Sequence, residues 1–166
     1  MKKEKDYLIA KLKESGIKSQ VYTTMKKLKQ ANESHLGAVL RNGETLARSG
    51  SKRNFVDQEG QRKRRVKLWS RDTKLRVIIA DASEDKCEEI FEKFLRLIGK
   101  GMEDDGNWVN IVVGEADWVE EGDSVLKAKI AVQFDVTFEG GIYADFTKKA
   151  VEIGNIQNLS LIHISE

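Results

Sequence analysis

Proline is absent from all 166 residues, so no rigid Pro-rich linker divides the chain. A single cysteine, Cys87, excludes an internal disulfide and fits a reducing compartment. There are only two histidines, His35 and His163, whereas a zinc site draws about four ligands from Cys, His and carboxylates. No apolar run reaches the length needed to cross a bilayer. The charged start, Met1-Lys2-Lys3-Glu4-Lys5-Asp6, lacks the apolar core of a signal peptide. Also missing are a G-x-x-x-x-G-K-[ST] phosphate loop, a G-x-G-x-x-G after a strand and a G-x-S-x-G elbow. An enzyme is therefore the least supported class, and no cofactor or catalytic metal is expected. The expectation is a soluble, intracellular part of an assembly.

What the chain does have is charge, unevenly placed. The formal net charge is only +2. Residues 41–76 carry 12 basic and 4 acidic groups, and residues 81–123 carry 4 basic and 14 acidic groups. The first 40 residues are basic (9 against 4), and residues 124–166 are nearly balanced (4 against 5). Either the basic region meets a polyanion, or it meets the acidic region of the next copy, head to tail.

The periodicities predict an α+β domain over residues 1–155. Its sheet is expected to be mainly antiparallel, two hairpins plus a long C-terminal strand, packed by an amphipathic helix and an N-terminal helix. Residues 2–14 read as a helix with Tyr7, Leu8 and Leu12 on one face, stopped by Ser15-Gly16. Residues 17–22 read as a short strand, while 24–30 fit either a helical turn or an exposed connection. Asn42-Gly43 predicts a hairpin turn within 35–48. Residues 49–65, polar and basic, read as a long mobile loop. A second hairpin is expected over 65–80, turning at Arg71-Asp72-Thr73-Lys74. The clearest helix follows, capped by Asp81 or Ser83 and ended by Gly99. Its apolar stripe is Cys87, Ile90, Phe91, Phe94, Leu95 and Ile98. Residues 108–113 read as a strand, 114–124 as an acidic linker, and 144–153 as a weak helix. Over 125–139, Leu126, Ala128, Ile130, Val132, Phe134, Val136 and Phe138 take every second position, as in a sheet with one dry face. Residues 158–166 fit no period of the body and resemble a translated sequencing adaptor, and 156–166 are set aside as a non-native-looking or disordered tail.

The candidate residues are charged or aromatic. Arg62, Lys63, Arg64 and Arg65, beside Trp69, suit a subunit contact, a ring lumen or phosphate contacts. Glu103, Asp104 and Asp105, with Glu120, Glu121 and Asp123, lack the spacing of a calcium loop. They read as solvated turns or as the complementary acidic contact. Trp118 joins Trp69 as an interface aromatic. His35 reads as a polar residue at a strand edge rather than a general base, and Cys87 as core packing.

From Val66 onward the order of elements resembles the tail terminator (tail completion) proteins of long-tailed bacteriophages. The 66–80 hairpin, the 83–99 helix, the 107–113 strand and the alternating 126–138 strand carry the likeness. It covers roughly 75 residues in pattern, without a signature motif. The resemblance implies a hexameric ring that caps the tail tube and presents the head-joining surface, without chemistry. The implied partners are further copies of the chain, the tail tube protein, head–tail connector proteins, and DNA passing without sequence readout. No membrane partner is expected. The protein would sit in the virion after assembly in the bacterial host cytoplasm. Another head–tail connector, or a nucleic-acid-binding module using residues 52–76, are the rival readings.

Overall fold

A computed structural model of the chain describes residues 2–120 and 130–148. The elements in order are α1 (Lys2–Ser15), β1 (Val21–Tyr22), α2 (Met25–Lys29), β2 (Leu36–Arg48), β3 (Lys52–Val56), β4 (Arg62–Asp81), α3 (Glu84–Leu97), β5 (Gly101–Asp104), β6 (Asn107–Glu120) and β7 (Ile130–Thr147). The strands form one sheet in the order β1-β2-β4-β7-β6-β5, with β3 on β4. β1 runs parallel to β2, whereas β3/β4, β5/β6 and β6/β7 are antiparallel. This is the expected α+β class, and its two tight hairpins are β3–β4 and β5–β6. Among the described residues no helix is long and apolar enough to cross a membrane.

The chain forms two compact units. The first is Met1–Glu44 with Asp72–Gly140, and the second is Thr45–Arg71 with Gly141–Glu166.

In the first unit, helix ends and stripes follow the sequence. Leu8 and Leu12 of α1 are fully buried. Gly16 takes φ +122°, and the Ile17 N–H closes back on the Leu12 carbonyl at 3.1 Å. Ser83 caps α3 by accepting from the Lys86 N–H, and Asp81 accepts from the Ser83 N–H at 3.1 Å. Cys87, Ile90 and Phe94 are buried, with Phe91 and Ile98 packed beside them. Leu95 is 38% exposed, so the apolar stripe is narrower than the spacing suggests. Thr24 caps the short α2, which resolves the ambiguous 24–30 stretch as helix.

Alternation sorts the sheet residues onto two faces. Val39, Val77, Ile79, Val132, Phe134 and Val136 join α1 and α3 in one cluster. Their neighbours Ala38, Leu40, Ile78, Ala80 and Ala131 join Leu28 and Ala31 in a second. The centre of the sheet is therefore dry on both sides, which is why 77–80 reads as an unbroken apolar run.

Several expected turns are not turns. Asn42-Gly43 lies inside the continuous strand β2: Gly43 takes φ +95°, but Asn42 does not have the positive φ a two-residue hairpin turn requires. Asn42 instead donates to Asp135 at 2.9 Å. Residues 71–74 lie within the 20-residue strand β4, with Thr73 buried. The supposed loop 49–65 holds β3 and the start of β4, and the chain reverses at 57–61. Asp57 makes that turn by accepting from the Glu59 and Gln61 N–H groups at 3.0 and 2.8 Å, while Gly60 takes φ +81°. The other tight turn is Asp105-Gly106, with φ +51° and +76°. Residues 114–120 continue β6 rather than forming a linker, and 144–147 extend β7 rather than starting a helix. The remaining expectations for 121–129 and for 149 onward lie outside the described residues.

One irregularity sets side-chain direction along β6. Val113 pairs with Val136 but Ala116 pairs with Phe134, so β6 carries one extra residue there. With a side-chain period of two, this bulge exchanges the faces. Val109 faces the core before it, whereas Trp118 faces the core side after it and sets its ring edge-on to Phe91 of α3 at 5.9 Å.

Candidate functional site

The described residues of the second unit, 45–71 and 141–148, hold ten Lys or Arg against three Asp or Glu. Here β3 pairs with β4 in register, Arg53 opposite Arg65 and Phe55 opposite Lys63. Pairing continues beyond β3, since the Lys67 N–H donates to the Ser51 carbonyl and the Ser49 N–H to that of Leu68. On the other side of β4 the Lys148 N–H of the β7 end donates to the Arg62 carbonyl at 2.9 Å. Gly141 has no room for a side chain: a Cβ would stand 2.6 Å from Lys67 Cε and 2.9 Å from the Trp69 carbonyl oxygen.

Alternation divides the four expected basic residues into two pairs. Arg53, Phe55, Lys63 and Arg65 share one face. Arg65 is only 8% exposed; its Nε and Nη2 donate to the two Asp145 oxygens at 2.7 and 2.9 Å, and its guanidinium lies 4.8 Å from the Phe55 ring centroid. This forked pair holds the Asp145 carboxyl below the usual carboxylate range. Lys63 reaches Asp57 at 3.4 Å. The turn N–H of Gln61 lowers the Asp57 carboxyl most, assisted by Lys63. Arg65 and Lys63 thus make ion pairs inside the unit. Arg62 and Arg64 face the other way with Lys52, Asn54 and Val56. Arg62 and Lys52 are exposed, and Val56 is 63% exposed. Trp69 is half-buried beneath Arg48, whose guanidinium carbon is 4.5 Å from the ring centroid.

The acidic residues fall on the β5–β6 hairpin of the first unit, where residues 101–120 contain six Asp or Glu and no Lys or Arg. Glu103 is exposed and stands opposite Trp108. Asp104 is held by Lys3 of α1, and that hydrogen bond raises the Lys3 pKa. Asp105 takes the left-handed turn position. Glu120, also exposed, pairs with Ile130 at the far end of β6, well separated in sequence from the turn. Glu121 and Asp123 lie outside the described residues. Trp118, 41% exposed, is partly committed to Phe91. Trp108 is the more exposed ring at 58%. It lies over Gly101, where a Cβ would meet the indole at 2.5 Å, and its Nε1 donates to Asn110 at 2.8 Å. Sequence reading missed the partners Asp57, Asp145 and Phe55. Only the Asp57-to-Gly60 turn spacing signalled any of them.

His35 is a tie between elements. Its Nε2 accepts from the Lys18 N–H at 3.1 Å, which places the ring proton on Nδ1, 2.8 Å from Asp81. Burial pushes the Asp81 carboxyl up, but hydrogen bonds from His35 and the Ser83 N–H outweigh it, and the net shift is downward. The pair borders a cleft of about 400 Å³ with Lys18, Lys86, Glu89 and Lys93. Burial raises the Cys87 thiol to about 11, as expected of core packing. Among the described residues no group of three His, Cys, Asp or Glu is placed to hold a metal ion. Compared with known proteins, the chain matches no family model and no curated sequence.

Proposed function

We propose that this protein is a ring-forming tail terminator subunit of a long-tailed bacteriophage, which caps the tail tube and offers the head-joining surface. One observation carries the reading. The same chain holds a hairpin with six carboxylates and no cation, and a second unit whose described residues hold ten cations and three carboxylates. Surfaces of opposite sign on one subunit suit heterologous contacts, the kind from which rings are built when the rotation between copies closes. The presence of helix α3 and strands β6 and β7 supports the reading, whereas the continuous strand β4 stands where the resemblance had a 66–80 hairpin. Native mass by light scattering across protein concentration, with negative-stain images, tests the reading. A hexamer-sized ring, or ring closure on added tail tubes, is the expected result. A strict monomer that ignores tubes overturns it.

A second reading, a nucleic-acid-binding module, draws on the Arg48–Trp69 stack and the surrounding cations. It predicts affinity that falls steeply with salt in a monomer or dimer.

A further inference from the structure

Among the described residues, the outer face of the sheet is covered on one half only. Leu28 of helix α2 and Ala31 just beyond it pack with Leu36, Ala38, Leu40, Ile78 and Ala80. On β5, β6 and β7 the same face carries Glu103, Trp108, Val112, Asp117 and Glu139. Trp108 and Val112 are 58% and 47% exposed. Val112 stands opposite Thr137, and Glu139 opposite Asn110, so two apolar side chains sit among carboxylates. Among the described residues, this face is covered where it is aliphatic and exposed where it is acidic.

The β3–β4 tip has the inverse pattern. Its even-numbered face carries exposed Val56 paired with Arg62, then Asn54 paired with Arg64, and ends at Lys52 paired with the buried Val66. Its other face is occupied internally by the Arg65–Asp145 and Lys63–Asp57 pairs.

We propose that the open β5–β6–β7 face docks the β3–β4 tip of a second copy of this chain, with Val56 against Trp108 and Val112, and Lys52, Arg62 and Arg64 against Glu103, Asp117 and Glu139. The proposal rests on the ring-forming reading and names the two surfaces that would build it. An apolar centre with a charged rim is the usual anatomy of a specific interface. The charge match selects another copy over a neutral partner. Because donor and acceptor surfaces differ, each copy gives one contact and receives one.

The test uses the full chain and light scattering in three variants. Arg62→Glu with Arg64→Glu should weaken self-association about tenfold or more, and so should Glu103→Lys with Glu139→Lys. All four changes in one chain should restore association, because the signs are exchanged. In parallel, Val56→Cys and Val112→Cys proteins, mixed and treated with a short bis-maleimide, should give the mixed cross-link. The docking proposal is overturned if the wild type forms rings and either pair of reversals leaves its mass unchanged. It is also overturned if the mixed cross-link is absent, or if reversal at the tip abolishes retention of duplex DNA while rings persist. A wild type that stays monomeric with and without tail tubes sinks the ring reading itself.

Discussion

Each of the two units of this chain is held together by different physics. Among the described residues, the first holds nearly all the buried large apolar side chains, with Phe94, Phe134, Phe138, Leu8 and Leu12 at or below 2% exposure. In the second, among the described residues, Val66 and Arg65 alone are buried, and Arg65 depends on an ion pair and an aromatic ring. Apolar burial is non-directional and spreads over many contacts. A forked Arg–carboxylate pair is directional, sensitive to pH and dependent on two residues. The first unit should therefore resist single changes outside its core, and the second should respond to any change at Arg65 or Asp145.

The largest effect should come from Phe94→Ala, which empties the centre of the first unit and costs about 3–5 kcal/mol. Chemical denaturation should show it as a lower midpoint. Next is Asp145→Asn, which leaves the buried Arg65 without its carboxylate. Asp145 is itself partly open to water, so the cost should stay at about 1–3 kcal/mol, below that of breaking a fully buried pair. Hydrogen exchange should speed up at 62–66 while the α3 amides keep their protection. Equal opening of both would erase the distinction between the units.

Gly60→Ala and Gly43→Ala sharpen the comparison. Both positions have positive φ and nothing within 4 Å of where a Cβ would stand, so each substitution costs roughly 1–2 kcal/mol of backbone strain alone. At Gly60 exchange should rise only around the 57–61 turn, whereas at Gly43 the cost should appear in the denaturation midpoint of the first unit. The smallest effect should come from acid. Asp145 and Asp57 both titrate below their ordinary value of 3.8. Their stabilisation is present above that pH and is lost as pH falls through the lower folded values. Exchange at 62–66 should accelerate there, and an unchanged profile would count against the Arg65–Asp145 bond.

Legibility in the sequence followed the same division. Helices α1 and α3 and strand β7 could be read because a buried face imposes a period on apolar residues. Strand β3 could not: Lys52, Arg53 and Asn54 carry no apolar alternation, and their pairing comes from contacts with residues about ten positions away. Asn42-Gly43 and residues 71–74 carry turn chemistry but sit in long strands whose neighbours on both sides set the backbone. Asp105-Gly106 carries the same chemistry and does turn, because its flanking strands β5 and β6 pair only through it. The charged candidates were found as a cluster, but their division between faces depended on register, which composition does not encode.

The extra residue in β6 has a consequence for how this chain is compared with relatives. A homologue without it would present position 118 on the opposite surface even if the tryptophan were retained. An alignment that runs ungapped through 114–115 would then equate a ring seated on α3 with one facing outward. Identity at Trp118 is informative only when the length of β6 is conserved with it.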